Sequence, residues 1–371
     1  MKKQMFNSHF LQVFAILFVL IAMFTTNATG KVINWKMTTC WPPSIQFIEA
    51  DKHFVNLVNT LADDNLQIKF FEGGALVPAF ELLDAVSQGT VQAGGDWPNY
   101  WAGKNSAFDL LGAFPMGLTP SDYMVWIYQG GGFELYQELY SQFGIVYLPY
   151  WVSTAESGVR GNKPIRTLAD YKGLKIRMSG QTQGKILKDL GASQVMLSGG
   201  EIYQALEKGV IDAGEFSDPA NDWGLGFQEV TKYWATPGWH QPASVGGVMI
   251  NKKAWDSLPA KTQELLKTIA AATFGWTYTY YEYSSAIATQ KFLDKGIQVT
   301  RLSDEDLDKI QELSWKHLLE SSKENPMFAK IAYSQLNFMK IEAKWRSIAS
   351  PFTAGRNPVL PDLEAIKKYS E

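Results

Sequence analysis

Apolar and polar positions along this chain fall in short blocks whose period switches between two residues, as in a strand, and three to four, as in a helix. Val32 to Met37 alternates like a strand and enters a loop, Thr38-Thr39-Cys40-Trp41-Pro42-Pro43. Phe47 to Ala62 carries its apolar residues at helical spacing. Leu66 to Phe71 is strand-like and stops at Gly73-Gly74. Glu81 to Ser87 is helical, Gly89 ends it, and Val91-Gln92-Ala93 forms a short strand. This alternation predicts an α/β protein with parallel-rich sheets covered by helices. From about Leu258 the pattern changes. Lys261 to Phe292 reads as one long helix with no proline and a single glycine, Gly275. After the short run Ile297 to Thr300, Ser303 is placed to cap a helix opening on Asp304-Glu305-Asp306, and helices continue to about Ala349.

The pattern also repeats. Glu81, Ala85, Gly89, Val91, Ala93 and Gly94 recur at one constant offset as Glu201, Ala205, Gly209, Ile211, Ala213 and Gly214. Each copy spells helix, glycine stop, short strand, because glycine alone enters the left-handed conformation without steric cost. Either two common helix–strand units coincide by chance or the chain holds two similar α/β domains facing a cleft. In the second case Gly95-Asp96-Trp97 and Glu215-Phe216-Ser217 are opposite lips of that cleft, since open α/β sheets place ligands at strand C-termini.

Composition narrows the class. Of the 371 residues 46% are hydrophobic and only 19% charged, too apolar and too aromatic for a disordered chain. A net charge of −3 excludes a generally basic nucleic-acid binder. The single cysteine, Cys40, excludes an intrachain disulfide and a cysteine-built zinc site, and is expected to be a small packed residue. Lys2 and Lys3, the apolar run Val13 to Phe24 and the small polar stretch after it read as an export signal over residues 1–30, cleaved after Ala28 or Gly30. An uncleaved anchor is the alternative, although the run is short for a membrane span.

Catalytic motifs are absent: there is no P-loop, no Gly-x-Ser-x-Gly and no His-Glu-x-x-His, and the four histidines are scattered. Gly130-Gly131-Gly132 follows a helical run and reads as a helix stop rather than a phosphate loop. Binding chemistry is better represented. Arg177 ends the strand Leu174-Lys175-Ile176, where its planar fork can grip a carboxylate; a plain surface arginine is the bland alternative. Glu215 ends the second repeat strand, and an acid leaving a buried strand needs an arginine, a cation or water unless it sits at a solvated edge. Trp41, Trp97, Tyr100 and Phe216, with Trp101, Trp223 and Trp239, lie in loops or at strand ends. Individually such residues are mostly core; together they favour an aromatic-lined pocket with few polar groups.

Several segments together resemble the DctP-type solute receptors of tripartite ATP-independent periplasmic (TRAP) transporters, in the branch that binds 2-oxo acids and lactate with a cation. They are Trp35-Lys36-Met37 with Trp41-Pro42, Leu76-Val77-Pro78-Ala79, Tyr128-Gln129-Gly130-Gly131-Gly132, Leu174-Lys175-Ile176-Arg177, Gly199-Gly200-Glu201-Ile202, Ile211-Asp212-Ala213 and Pro237-Gly238-Trp239-His240. The resemblance spans roughly Trp35 to Ile341.

It implies a two-lobed periplasmic-binding-protein-like fold with a ligand cleft between similar domains, a long bridging helix and extra C-terminal helices. The implied division is residues 31–154 plus 242–275 for one lobe and 155–241 plus 276–300 for the other, with 301–371 packing on the lobes or on a partner copy. It places Arg177 at the carboxylate-binding arginine, Tyr100 at a ligand-contacting aromatic, and Glu215 with Phe216 where the branch usually has Glu-Trp. Glu156 falls where relatives tend to have Gln and Gln241 where they tend to have Glu, so an acid and an amide are exchanged. The implied function is a non-enzymatic receptor for a small monocarboxylic 2-oxo or 2-hydroxy acid. The implied cation is Na⁺ or Ca²⁺, held by Glu215, Phe216, Gln241 and Glu156. The implied partners are the transporter's membrane subunits and a second copy of the chain. An ABC-type receptor for a sugar or amino acid, and an exported α/β enzyme, are the rival readings.

Overall fold

The computed structural model describes residues 32–62 and 65–350. The export signal read over residues 1–30 lies outside the described residues. Among those described, no helix is long and apolar enough to cross a membrane.

Eleven strands among the described residues form two sheets. The first runs in the order β2 (Leu66–Phe70), β1 (Ile33–Thr39), β3 (Ala93–Asp96), β10 (Val245–Asn251), β4 (Ile145–Val152). The second runs β11 (Gln298–Arg301), β9 (Tyr233–Thr236), β5 (Val159–Gly161), β8 (Ala213–Gly214), β6 (Lys175–Arg177), β7 (Ser193–Val195). The chain leaves the first sheet after β4 and returns at β10, then enters the second again at β11. Parallel pairing holds for β1 with β2 and β3, and for β6 with β7 and β8. At the crossings β10 pairs antiparallel with β3 and β4, and β5 with β8 and β9, while β9 pairs parallel with β11 on its other side. The sheets are therefore mixed where the helix–strand alternation predicted parallel-rich ones. Two-way traffic between lobes reverses the direction of the strands that carry it.

The repeat is real in three dimensions. The helix Leu82–Ser87 ends at Gly89 (φ 78°) and leads to β3, while the helix Gly199–Glu207 ends at Gly209 (φ 66°) and leads to β8. The turns match bond for bond. Gly89 N–H donates to Val86 and Thr90 N–H to Ala85; Gly209 N–H donates to Leu206 and Val210 N–H to Ala205. Gly130 closes the helix Pro120–Gln129 and Gly131, at φ 80°, opens the helix Gly132–Ser141, so the triple glycine is a helix stop.

One uninterrupted helix, Ala260–Asp294, packs on β4 and the helix Ile48–Leu61 on one side and on the helix Pro219–Gly224 on the other, so it backs both sheets. Ser303 caps the helix Asp304–Glu324, accepting from Asp306 N–H at 3.1 Å. That helix lies against the helix Gln181–Asp189, and the last one, Pro326–Ala349, lies against Phe108–Gly112 and Gly132–Ser141. The large aromatic core gathers under the first sheet, with Trp41, Trp101, Trp126 and Trp151 almost fully buried. Cys40 is buried, its Sγ directed at the Ala79 carbonyl, as a packed thiol should be.

Candidate functional site

Strand ends and crossings bring the charged candidates together. Arg177 closes β6, and its strand neighbour Gly214 closes β8, so Glu215 and Phe216 leave the sheet beside the guanidinium. Glu156 sits in the crossing from β4 to β5, and His240 and Gln241 sit in the crossing from β9 to β10. The two crossings touch: a Cβ on Gly238 would fall 2.3 Å from the Glu156 carbonyl oxygen, so only glycine lets them approach this closely. Trp41 follows β1, and Trp97 and Tyr100 follow β3.

All of these side chains are buried, from Glu215 and His240 at 0% exposure to Tyr100 at 9%. Charge at such depth must be paired. Arg177 Nη1 donates to the Glu215 carbonyl (2.7 Å) and carboxylate Oε1 (2.8 Å), and Nε donates to the Leu197 carbonyl (3.1 Å). Its Nη2 has no hydrogen-bond partner among the described residues. Ser179 N–H also donates to Glu215 Oε1 (2.8 Å), but the other oxygen, Oε2, is buried without a hydrogen-bond partner. It faces His240 Nε2 at 3.5 Å. The same imidazole nitrogen lies 3.1 Å from Glu156 Oε2, while Ser244 Oγ–H donates to Glu156 Oε1 at 2.6 Å. The Gln241 amide lies against Glu156 as well. With its nitrogen turned inward it donates to Oε2 and Oε1 at 2.5 and 3.0 Å; with its oxygen inward, oxygens crowd oxygens.

The electrostatics follow. Burial pushes the Glu156 carboxyl up to about 7, although the His240 hydrogen bond works against it. Burial also opposes charge on Glu215, but the Arg177 guanidinium outweighs it and holds this carboxyl below the usual range. Burial alone would lower His240; the contact with Glu156 and the negative charges of Glu156 and Glu215 instead hold it at about 9. Glu156, Glu215 and His240 each offer a ligand atom within 4.8 Å of one another, the chemistry of a small cation site.

An aromatic wall closes the other side. Trp41 packs on Tyr100 (5.9 Å between ring centroids) and edge-on against Phe216 (6.3 Å), so side chains from the two lips meet. Trp97 packs edge-on against Tyr100 at 5.5 Å, and the Arg177 guanidinium lies 5.5 Å from the Phe216 ring centre. Asp96 turns away from this wall, accepting from Trp101 Nε1 (2.6 Å) and Tyr140 O–H (2.9 Å). Beyond Tyr100 a pocket of about 350 Å³ is lined by Phe80, Tyr100 and Gly103 from one lobe and Gln181, Gln194 and Met196 from the other.

Sequence reasoning thus reached Arg177, Glu215, Phe216, Glu156 and Gln241, and the structure places them within one cluster. It gave His240 no role beyond its place in the Pro237-Gly238-Trp239-His240 segment, and none to Ser179 or Ser244. The available signal was position: His240 immediately precedes Gln241.

Two α/β lobes with a buried charged site at the strand ends between them define the class of two-lobed solute receptors. The chain belongs to the bacterial extracellular solute-binding proteins of family 7, the DctP family, which it matches over residues 38–324. It is 31% identical over 316 residues to a monocarboxylate 2-oxoacid-binding periplasmic protein of Nostoc sp., covering 85% of this chain and 86% of that one. A TRAP transporter solute-binding protein from Bordetella bronchiseptica, solved as a mixed-occupancy dimer with copurified calcium and picolinate, superposes with a TM-score of 0.83 at 30% identity. That match covers 92% of this chain and 98% of the other. A second, from Pseudoalteromonas atlantica with bound sodium and pyruvate, gives 0.82 at 29% identity, over 86% and 97% of the two chains. The protein is accordingly a TRAP solute receptor, from a family of binding proteins and not of enzymes, and the ABC-type alternative is set aside.

Proposed function

We propose that this receptor captures a small monocarboxylic 2-oxo or 2-hydroxy acid together with a cation and delivers it to the membrane subunits of its transporter. The observation that carries the reading is the pairing of a buried arginine, whose Nη2 has no hydrogen-bond partner among the described residues, and a buried carboxylate oxygen, Glu215 Oε2, that likewise lacks one there. Arg177 holds the ligand carboxylate through Nη2. Glu215, Glu156 and the main-chain carbonyl of Phe216 offer oxygens to Na⁺ or Ca²⁺, and Gln241 joins them when its amide oxygen faces Glu156. The cation offsets the repulsion between two carboxylates and an anionic ligand. Trp41, Trp97, Tyr100 and Phe216 enclose the carbon skeleton. The acid class named for the Nostoc relative, and the ions and acids in the Bordetella and Pseudoalteromonas structures, support this reading.

The chain acts without catalysis, after export and cleavage of the signal behind Ala28 or Gly30. Closure of the lobes, residues 31–154 with 242–275 against 155–241 with 276–300, encloses the acid. Residues 301–350 pack on the lobes, residues 351–371 lying outside the described residues, and the exposed apolar residues of the last helix, Tyr333, Ile341, Trp345 and Ile348, form a homodimer contact. Native mass spectrometry of protein purified without refolding tests the central claim. A bound mass equal to one small acid plus one metal ion is expected. Protein that neither carries such a mass nor binds pyruvate, lactate or larger 2-oxo acids in calorimetry with Na⁺ or Ca²⁺ overturns it.

A further inference from the structure

The donor set around the candidate cation position contains a nitrogen. His240 Nε2 lies 3.1 Å from Glu156 Oε2 and 3.5 Å from Glu215 Oε2, all three side chains being at most 5% exposed. Donors held about 2.1 Å from one ion, at angles of about 90–110°, stand about 3.0–3.4 Å apart. The 3.1 Å contact falls within that range and the 3.5 Å contact just beyond it. Glu215 Oε2 is buried without a hydrogen-bond partner among the described residues, and Glu156, Glu215 and His240 each offer one ligand atom within 4.8 Å of one another. Gln241, one residue on, has a different task available: with its amide nitrogen inward it donates to both Glu156 oxygens and fixes that carboxylate.

We infer that His240 is a ligand of the bound cation, taking the place of the Gln241 oxygen, and that the site therefore binds a divalent transition ion such as Mn²⁺, Co²⁺ or Zn²⁺ more tightly than Ca²⁺ or Na⁺. The inference rests on the cation-dependent reading above and names the ion class for the same site. Imidazole nitrogen favours first-row transition ions, whereas an all-oxygen set suits Ca²⁺ and Na⁺. One nitrogen exchanged for one oxygen changes ion selectivity while leaving Arg177 to hold the acid's carboxylate.

The test uses the full mature chain with Mn²⁺, Co²⁺ and Ca²⁺, each alone and with pyruvate. Calorimetry is expected to give at least tenfold tighter binding of Co²⁺ than of Ca²⁺. His240→Gln should lose tenfold or more in Co²⁺ affinity with Ca²⁺ affinity changed less than threefold, and Gln241→Ala should keep the preference for Co²⁺. Pulsed electron paramagnetic resonance of the unaltered Mn²⁺-loaded protein should show nitrogen coupling from one imidazole, a readout that stands even where His240→Gln fails to fold. Equal affinity for Co²⁺ and Ca²⁺, an equal loss of both in His240→Gln, or no nitrogen coupling overturns the inference. Pyruvate binding that depends on Ca²⁺ or Na⁺ but shows no transition-ion preference removes this inference and leaves the receptor reading intact. Absence of any cation dependence removes both.

Discussion

Arg177→Lys is the sharpest probe of the carboxylate clamp, because it keeps the charge and removes only the geometry. In the structure three acceptors surround the guanidinium: the Leu197 carbonyl on Nε, and the Glu215 carbonyl and Oε1 on Nη1, with Nη2 left for a ligand. A lysine ammonium has one nitrogen with three protons and a shorter reach. Keeping the ion pair with Glu215 costs it the Leu197 carbonyl and at least one hydrogen bond to the ligand. Charge-assisted hydrogen bonds contribute about 1.5–3 kcal/mol each, and truncating a buried charged contact at a binding site costs about 2–5 kcal/mol. The expected loss is about thirty-fold to several thousand-fold in affinity. Arg177→Met would be a poorer choice, since it strands Glu215 as an unpaired buried charge and endangers the fold. The assay is calorimetry of pyruvate, lactate and longer 2-oxo acids against wild type and Arg177→Lys, with Na⁺ or Ca²⁺ present and thermal melting to confirm folding. If the folded lysine variant binds the preferred acid as tightly as wild type, Arg177 does not hold the ligand carboxylate.

Glu215→Gln should weaken cation binding and make acid affinity depend more steeply on added cation; a titration with unchanged cation dependence counts against Glu215 as a donor. Gly199→Ala places a Cβ 2.6 Å from the Phe216 ring and 2.8 Å from Ile45 Cδ1, so the ring must shift. A several-fold loss of acid affinity without loss of folding is expected, and unchanged binding argues that Phe216 is not at the ligand. Asp51 and Asp96 are buried on the first sheet, and burial raises each carboxyl from 3.8 to about 7. Asp51 faces Thr39, Tyr150, Asp96 and Glu49, and Asp96 faces Trp101, Tyr140 and Tyr147. Because the folded state then holds protons that the unfolded chain releases above about pH 4, their contribution to stability is full below that pH and falls as pH rises to about 7. Denaturant melts across pH 4–8 should show that decline, shallower in Asp51→Asn; an Asp51→Asn curve parallel to wild type refutes the assignment. Trp345→Glu with Ile348→Glu should turn a homodimer into a monomer in sedimentation, since these side chains are 61% and 79% exposed on one chain; an unchanged sedimentation coefficient places the dimer contact elsewhere.

The chain's own pattern determined the parts that depend on local spacing. Helix period and the glycine stops at 89 and 209 follow from backbone preferences within a few residues, so the duplicated helix–strand unit is legible in the sequence itself. The long helix over 260–294 and the Ser303 cap were legible for the same reason. Arg177 and Glu215 stood out because a charged residue at the end of an apolar strand requires a partner wherever the strand lies. What the local pattern does not contain is which distant segments meet. The antiparallel strands beside the crossings pair residues more than 50 positions apart, Gly238 meets Glu156 across 82 positions, and His240 stands 84 positions from Glu156 and 25 from Glu215. Nothing in the spacing of a lone histidine distinguishes a packed ring from a ligand. Only the folding of both crossings against the second sheet brings its nitrogen to the two acids, and the chemistry of the site is set there.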